Sequence, residues 1–192
     1  RGVAFTRVSK DITLAAREYG GNPESNPALR LAIKKAKNVN MPIANIDRAI
    51  KKGTGDLPGI RYENYIYEGY GPGGVAILID ILTDNKNRTL PEIRSLMTKN
   101  GGNLGESGCV NWMFEKKGII RINRKNINEN SLLEILDLEV EDVINENEFY
   151  EIIIKPENFS KVSIFLENKR INIEGEVSLV PINTVKVSED VG

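Results

Sequence analysis

The hydrophobic period of this chain changes once, near Arg61, and that single change limits the folds open to it. Before it, apolar residues recur at three- and four-residue intervals between proline and glycine stops; after it, aromatic and branched residues come in short runs broken by turns. The first part predicts three helices. Val8, Ile12, Ala15 and Tyr19 share a helical face from about Thr6 to Tyr19, and Gly20-Gly21 supplies a stop. Asn26 is placed to cap a second helix, Pro27 suits its first position, and Leu29, Ala32, Ile33 and Ala36 form its apolar stripe. After Met41-Pro42, a third helix runs through Ile43, Ile46 and Ile50 to a stop near Lys52, at Gly53-Thr54-Gly55. Leu57-Pro58-Gly59 reads as a linker, and a domain boundary is placed there.

Beyond Arg61, Tyr62 to Glu68 and Val75 to Leu82 predict two strands joined across Gly69-Tyr70-Gly71-Pro72-Gly73-Gly74. No Gly-Lys-Ser/Thr follows those glycines and the next segment is a strand, so they make a tight turn rather than a phosphate cradle. Thr89-Leu90-Pro91-Glu92 fits a capping box opening a helix that buries Ile93, Leu96 and Met97 and ends at Asn100-Gly101-Gly102. Val110, Trp112 and Phe114 alternate as a strand, with both aromatics expected in the core, and Glu115-Lys116-Lys117-Gly118 reads as a hairpin turn. Two strand-helix passages follow, Ile119–Ile122 into Ser131–Leu138 and Phe149–Lys155 into Pro156–Asn168, before a last strand from Val177 to Val187, broken at Pro181. At 192 residues the chain exceeds one typical domain, and strands interleaved with short helices imply an α+β protein built of ferredoxin-like sandwiches.

The side-chain inventory narrows the chemistry. There is no histidine and there is one cysteine, Cys109, so a histidine-containing zinc site, a Ser-His-Asp triad and a Cys-His nucleophile are all excluded. Carboxylate, lysine or tyrosine chemistry remains, and the expectation is a protein that is not an enzyme and has no cofactor, metal or small-molecule substrate. Cys109, between a glycine and an apolar run, is expected to be a buried, inert thiol. The longest apolar run, Gly73 to Ile81, falls far short of the roughly 20 residues that span a bilayer, so no membrane partner is expected. Arg1 to Arg7 carries no secretory signal pattern, and a cytoplasmic location is expected, or the mitochondrial matrix for a eukaryotic relative.

The net charge of −1 conceals an asymmetry. Residues 1–60 hold 11 Lys and Arg against 5 Asp and Glu, whereas residues 119–192 hold 8 against 15. A basic first third and an acidic last third suggest a polyanion partner at one end and its exclusion at the other. Arg30, Lys34 and Lys37 lie at i, i+4 and i+7 on the second helix, opposite its apolar stripe, and Arg48, Lys51 and Lys52 cluster on the third. Such faces match phosphate spacing, although solvated helix faces have the same composition. Thr83-Asp84-Asn85-Lys86-Asn87-Arg88-Thr89 forms a polar loop whose Lys86 and Arg88 are further nucleic-acid candidates; its Asp and Asn equally satisfy turn amides. Asn100 to Gly108 is glycine-rich and reads as a turn. No recognition helix of a known DNA-reading motif is legible, so neither a base sequence nor an oligomeric state follows.

Six stretches carry a denser pattern: Asn26 to Ile33, Asn40-Met41-Pro42, Asn45 to Gly53, Tyr67 to Ala76, Leu82 to Thr89 and Gly101 to Gly105. Together they closely resemble the YebC/PmpR family, densely from Arg1 to Gly118 and continuously to Val187, including Val180-Pro181. The resemblance implies a helical domain at residues 1–59, a middle α/β domain at 60–118 plus 176–192, and an α/β domain at 119–175 inserted into it. It further implies a DNA-binding transcriptional regulator, with a ribosome-associated translation factor or translational activator binding ribosomal RNA as the alternative, and no enzymatic activity. Chains of that family open with a basic segment containing a Gly-His-Ser-Lys-Trp-like motif and continue past the Val187 region with a helix and a strand; this sequence contains neither stretch.

Overall fold

A computed structural model describes residues 2–184, with side chains from residue 5. In chain order the elements are α1 (Gly2–Tyr19), α2 (Pro27–Asn38), α3 (Ile43–Thr54), β1 (Glu63–Tyr70), β2 (Ala76–Thr83), α4 (Lys86–Lys99) and β3 (Asn103–Leu104). They continue with β4 (Phe114–Asn123), α5 (Glu129–Leu136), β5 (Val140–Asn145), β6 (Phe149–Ile154), α6 (Phe159–Asn168) and β7 (Ile173–Pro181). The described residues divide into two compact units, residues 2–58 with 116–178, and residues 59–115 with 179–184.

In the first unit, α1, α2 and α3 enclose a core of Val8, Ile12, Ala16, Leu29, Ala36, Met41, Ile46 and Ala49. Asn26 begins α2 as its spacing predicts, its side-chain oxygen accepting from the Leu29 amide at 2.9 Å. It also does what spacing does not reveal. Fully buried, it donates through Nδ2 to the carbonyls of Ala15 at 2.9 Å and Gly20 at 2.8 Å, tying the start of α2 to the end of α1. Gly53 is not the stop of α3 but lies inside it: a Cβ there would sit 2.3 Å from the Thr13 carbonyl oxygen, so the glycine lets α3 pass close to α1. The stop is Gly55, left-handed at φ 84°. Ile43, expected on the buried stripe of α3, is 72% exposed.

The same unit contains a β-α-β-β-α-β arrangement whose four strands run in the order β5-β6-β4-β7, a ferredoxin-like sheet. Ile120, Ile122, Ile152, Ile154 and Ile173 pack under Ile135, Phe159, Val162 and Leu166 of the two helices. Leu31 of α2 joins this second core, so α2 has two apolar edges serving two cores. Glu115-Lys116-Lys117-Gly118 is not a turn but part of β4, because Gly118 leaves room for Ile154 and Phe159, whose atoms would lie 2.8 and 2.9 Å from a Cβ. The sequence reading missed β5. Its register shifts between Val140 and Asp142, and Glu139 before it is left-handed at φ 59°, so the alternation that marks a strand is broken.

In the second unit, β1 and β2 pair antiparallel with Glu63 opposite Thr83 and Tyr70 opposite Ala76, and β3 adds to the other side of β1. The glycine turn is as tight as expected: Gly71 donates to the Val75 carbonyl at 2.8 Å, with Gly73 and Gly74 at φ 71° and 77°. The helix expected from Thr89 starts at Lys86, because Asn85 caps it, accepting from the Arg88 amide at 3.1 Å. Most of the polar loop is therefore first-turn helix, and Pro91 falls inside it. Leu96 is 60% exposed rather than buried. Residues 111–113 form one tight 3₁₀ turn instead of a strand, which puts Trp112 at 66% exposure, outside the core expected for it. The end of the predicted last strand, at Val187, lies outside the described residues.

Candidate nucleic-acid interface

The cations singled out in the sequence separate into three environments. On α2, Arg30 is engaged on every side. Its guanidinium meets Glu167 of α6 through Nη2–Oε2 at 2.5 Å and Nε–Oε1 at 3.2 Å, and its Nη1 donates to the carbonyls of Pro23 at 2.7 Å and Glu24 at 3.0 Å. Lys34 donates to Asn172 and, at 3.1 Å, to the carbonyl of Ile173 at the start of β7. Lys35, next in sequence, bridges Asp11 of α1 at 3.3 Å and Glu176 of β7 at 3.1 Å, and Arg7 reaches Glu176 at 3.5 Å. Burial pushes the Asp11 carboxyl up and Lys35 only partly restores it. Burial also pulls Lys35 down, but bonds and charge from Glu176 and Asp11 outweigh that and leave its ammonium above the usual lysine value. A cleft of about 550 Å³ beside these pairs is lined by Arg7, Lys34, Lys35, Arg121, Glu174 and Glu176 among others, both signs interleaved. The acidic segment thus pairs with Arg30 and Lys35 of α2 within one unit.

The α3 face is different. The side chains of Arg48 and Lys51 are exposed and bond to no other described residue, and the same holds for the Lys37 ammonium near the end of α2. Lys52 is half-buried and engaged within the fold.

In the second unit Lys86 lies 5.0 Å above the Tyr65 ring, whose hydroxyl bonds Glu63, and Arg88 pairs with Asp84 at 3.1 Å along the first turn of α4. Both cations stay exposed. The glycine-rich stretch before β4 is organised around one carboxylate. Glu68 of β1 is 6% exposed and accepts from the amides of Gly108 at 2.7 Å, Val110 at 2.7 Å and Asn111 at 2.8 Å. These donors hold its carboxyl below the usual glutamate range. Glu68 escaped the sequence reading, and its only signal was a carboxylate placed mid-strand between Tyr67 and Gly69. Trp112 is held by the same loop, its Nε1–H donating to the Cys109 carbonyl at 3.2 Å.

Among the described residues no three of Asp, Glu and Cys come together as a metal site, and no helix is long and apolar enough to cross a membrane. The fold and the charge map define an α+β protein in which a basic three-helix bundle shares a unit with an acidic ferredoxin-like domain, with Arg48 and Lys51 of α3 unpaired among the described residues. The chain belongs to the TACO1/YebC family: residues 1–56 match its N-terminal domain and residues 62–192 its second and third domain. A protein of Halothermothrix orenii is 51% identical over 98% of this chain and 76% of its own length. One of Natranaerobius thermophilus is 52% identical over 97% and 77%. Each bears the name probable transcriptional regulatory protein. The crystal structure of a conserved hypothetical protein from Aquifex aeolicus is similar at TM-score 0.81 and 46% identity, over 100% of this chain and 80% of that one.

Proposed function

We propose that this protein regulates gene expression by binding nucleic acid, with duplex DNA as the target, and that it acts by occupancy rather than catalysis. The observation that carries this reading is the open face of α3. In a unit where acidic partners engage Arg30 and Lys35 of α2, Arg48 and Lys51 stand exposed without one among the described residues. A free cation near a polyanion gains by releasing counterions, whereas one already paired must first break its bond. Lys37, Arg48 and Lys51 are therefore the cations that meet the nucleic acid. Lys86 and Arg88 are exposed but tethered, and serve as a weaker second patch. Arg30, Lys34 and Lys52 hold the fold. The name shared by the relatives, probable transcriptional regulatory protein, agrees with a DNA target.

Fluorescence anisotropy with labelled duplex DNA, at low and near-physiological salt and with intact ribosomes as competitor, tests the reading. Retained duplex binding at the higher salt without competition is the expected result. Loss of duplex binding together with capture by ribosomes would move the same cations to ribosomal RNA.

A further inference from the structure

The connection between α2 and α3 is more specific than a charged surface requires. Four residues, Val39-Asn40-Met41-Pro42, join the helices. Asn40 is left-handed at φ 56°, the Met41 amide donates back to the Ala36 carbonyl at 2.9 Å and the Asn40 amide to the Lys37 carbonyl at 2.9 Å, which seals the end of α2. The Pro42 carbonyl then accepts from the amides of Asn45 at 2.9 Å and Ile46 at 3.2 Å and starts α3 at once. Around this turn Ala36, Met41, Ile46 and Ala49 are all buried and Val39 partly so, which locks the two helices through a shared core. Facing away from that core, Ile43, Ala44, Asp47, Arg48 and Lys51 are all exposed, and their spacing of three and four places them along one ridge that begins in the first turn of α3.

We infer that α2, the turn and α3 form a helix-turn-helix, and that α3 inserts this ridge into the major groove of duplex DNA. The inference rests on the nucleic-acid reading and specifies it. A short turn with one left-handed residue, a core on the inner side of both helices and a bare outer side on the second are what the motif needs to present a helix to a groove. The ridge has side chains for base edges as well as phosphates. Arg48 suits the O6 and N7 acceptors of guanine, Asp47 the N4 donor of cytosine, and the methyl-bearing Ile43 and Ala44 the methyl of thymine. An isoleucine 72% exposed gains nothing from a phosphate, whereas a thymine methyl would cover it. The deep, narrow major groove of A-form RNA does not admit side chains in this way, so the ridge selects B-form DNA.

The test is selection of duplexes from a randomised pool by the full chain, followed by affinity measurements on the enriched duplex with single guanines replaced by 7-deazaguanine and single thymines by uracil. Expected are about a tenfold loss at one guanine that Arg48→Ala no longer distinguishes, and a smaller loss at one thymine that Ile43→Ala no longer distinguishes. Both variants should keep the circular dichroism and melting temperature of the parent. Tight duplex binding without enrichment, or enrichment blind to both major-groove changes, overturns the helix-turn-helix and leaves the nucleic-acid reading standing. Failure to retain any nucleic acid removes both.

Discussion

Arg30 on α2 and Arg48 on α3 belong to clusters that look alike in sequence, three cations at helical spacing in each. In the fold the first guanidinium is clamped by Glu167 and two backbone carbonyls, while the second meets no other described residue. The difference comes from the acidic segment of the chain. Glu167 on α6 and Glu176 on β7 come against α2, so charges more than a hundred positions away in sequence engage Arg30 and Lys35 and leave Arg48 and Lys51 of the next helix unpaired among the described residues. A cationic stripe is therefore a binding surface only where the rest of the fold leaves it unpaired.

The largest expected effect that would break this comparison is on α3. Arg48→Glu with Lys51→Glu should weaken duplex binding about a hundredfold at near-physiological salt, since two cations facing the duplex become two repulsions, with no change in melting temperature. Anisotropy titration and thermal melting check it together. The reciprocal experiment lies on α2. Arg30→Ala or Glu167→Ala should cost about 1–2 kcal/mol of stability in urea unfolding, the scale of a charge-assisted pair that is partly solvent-screened, and leave affinity within about twofold. An Arg30→Ala protein of full stability and poor affinity would reverse the assignment of the two faces.

Acidification distinguishes the two units. The three amides around Glu68 lower its pKa in the folded state, so its stabilising contribution is present above the unfolded glutamate pKa and is lost as pH falls through the lower folded value. Asp11 has the opposite sign. Its burial raises the folded pKa, so the folded state binds the proton more readily and this group favours folding as the pH falls. Melting temperature followed from neutral to acid pH should fall less steeply in Glu68→Gln than in the parent. The fluorescence of Trp112, the sole tryptophan, should report that loop separately. The smallest effect is expected for Lys37→Ala, which should lower affinity slightly, equally for all sequences, and reduce the salt slope by about one unit.

Much of the fold is legible in short stretches. Asn26-Pro27 opens α2, Gly71 to Gly74 turns the hairpin, and the α+β order follows from the change of period near Arg61. The errors share a cause. Gly53 and Gly118 resemble stops, yet each is a glycine because another element passes within about 3 Å of where its Cβ would lie, a contact visible only after folding. Trp112 resembles core because it alternates with Val110 and Phe114, but the amides clamped by Glu68 curl the chain into a tight turn there and expose the indole. Ile43 reads as core in a helical pattern, yet in the fold it faces outward at 72% exposure.

By itself the sequence determined what local physics controls: where helices are capped, where glycines turn the chain, and which residues repeat at helical or strand spacing. The tertiary structure decided which of the conspicuous cations remain available. That choice depends on Leu31 entering a second core with α6 and β7 against α2, where Glu167 and Glu176 pair with Arg30 and Lys35. Coulomb attraction depends on distance through space, and no spacing along the chain encodes that distance.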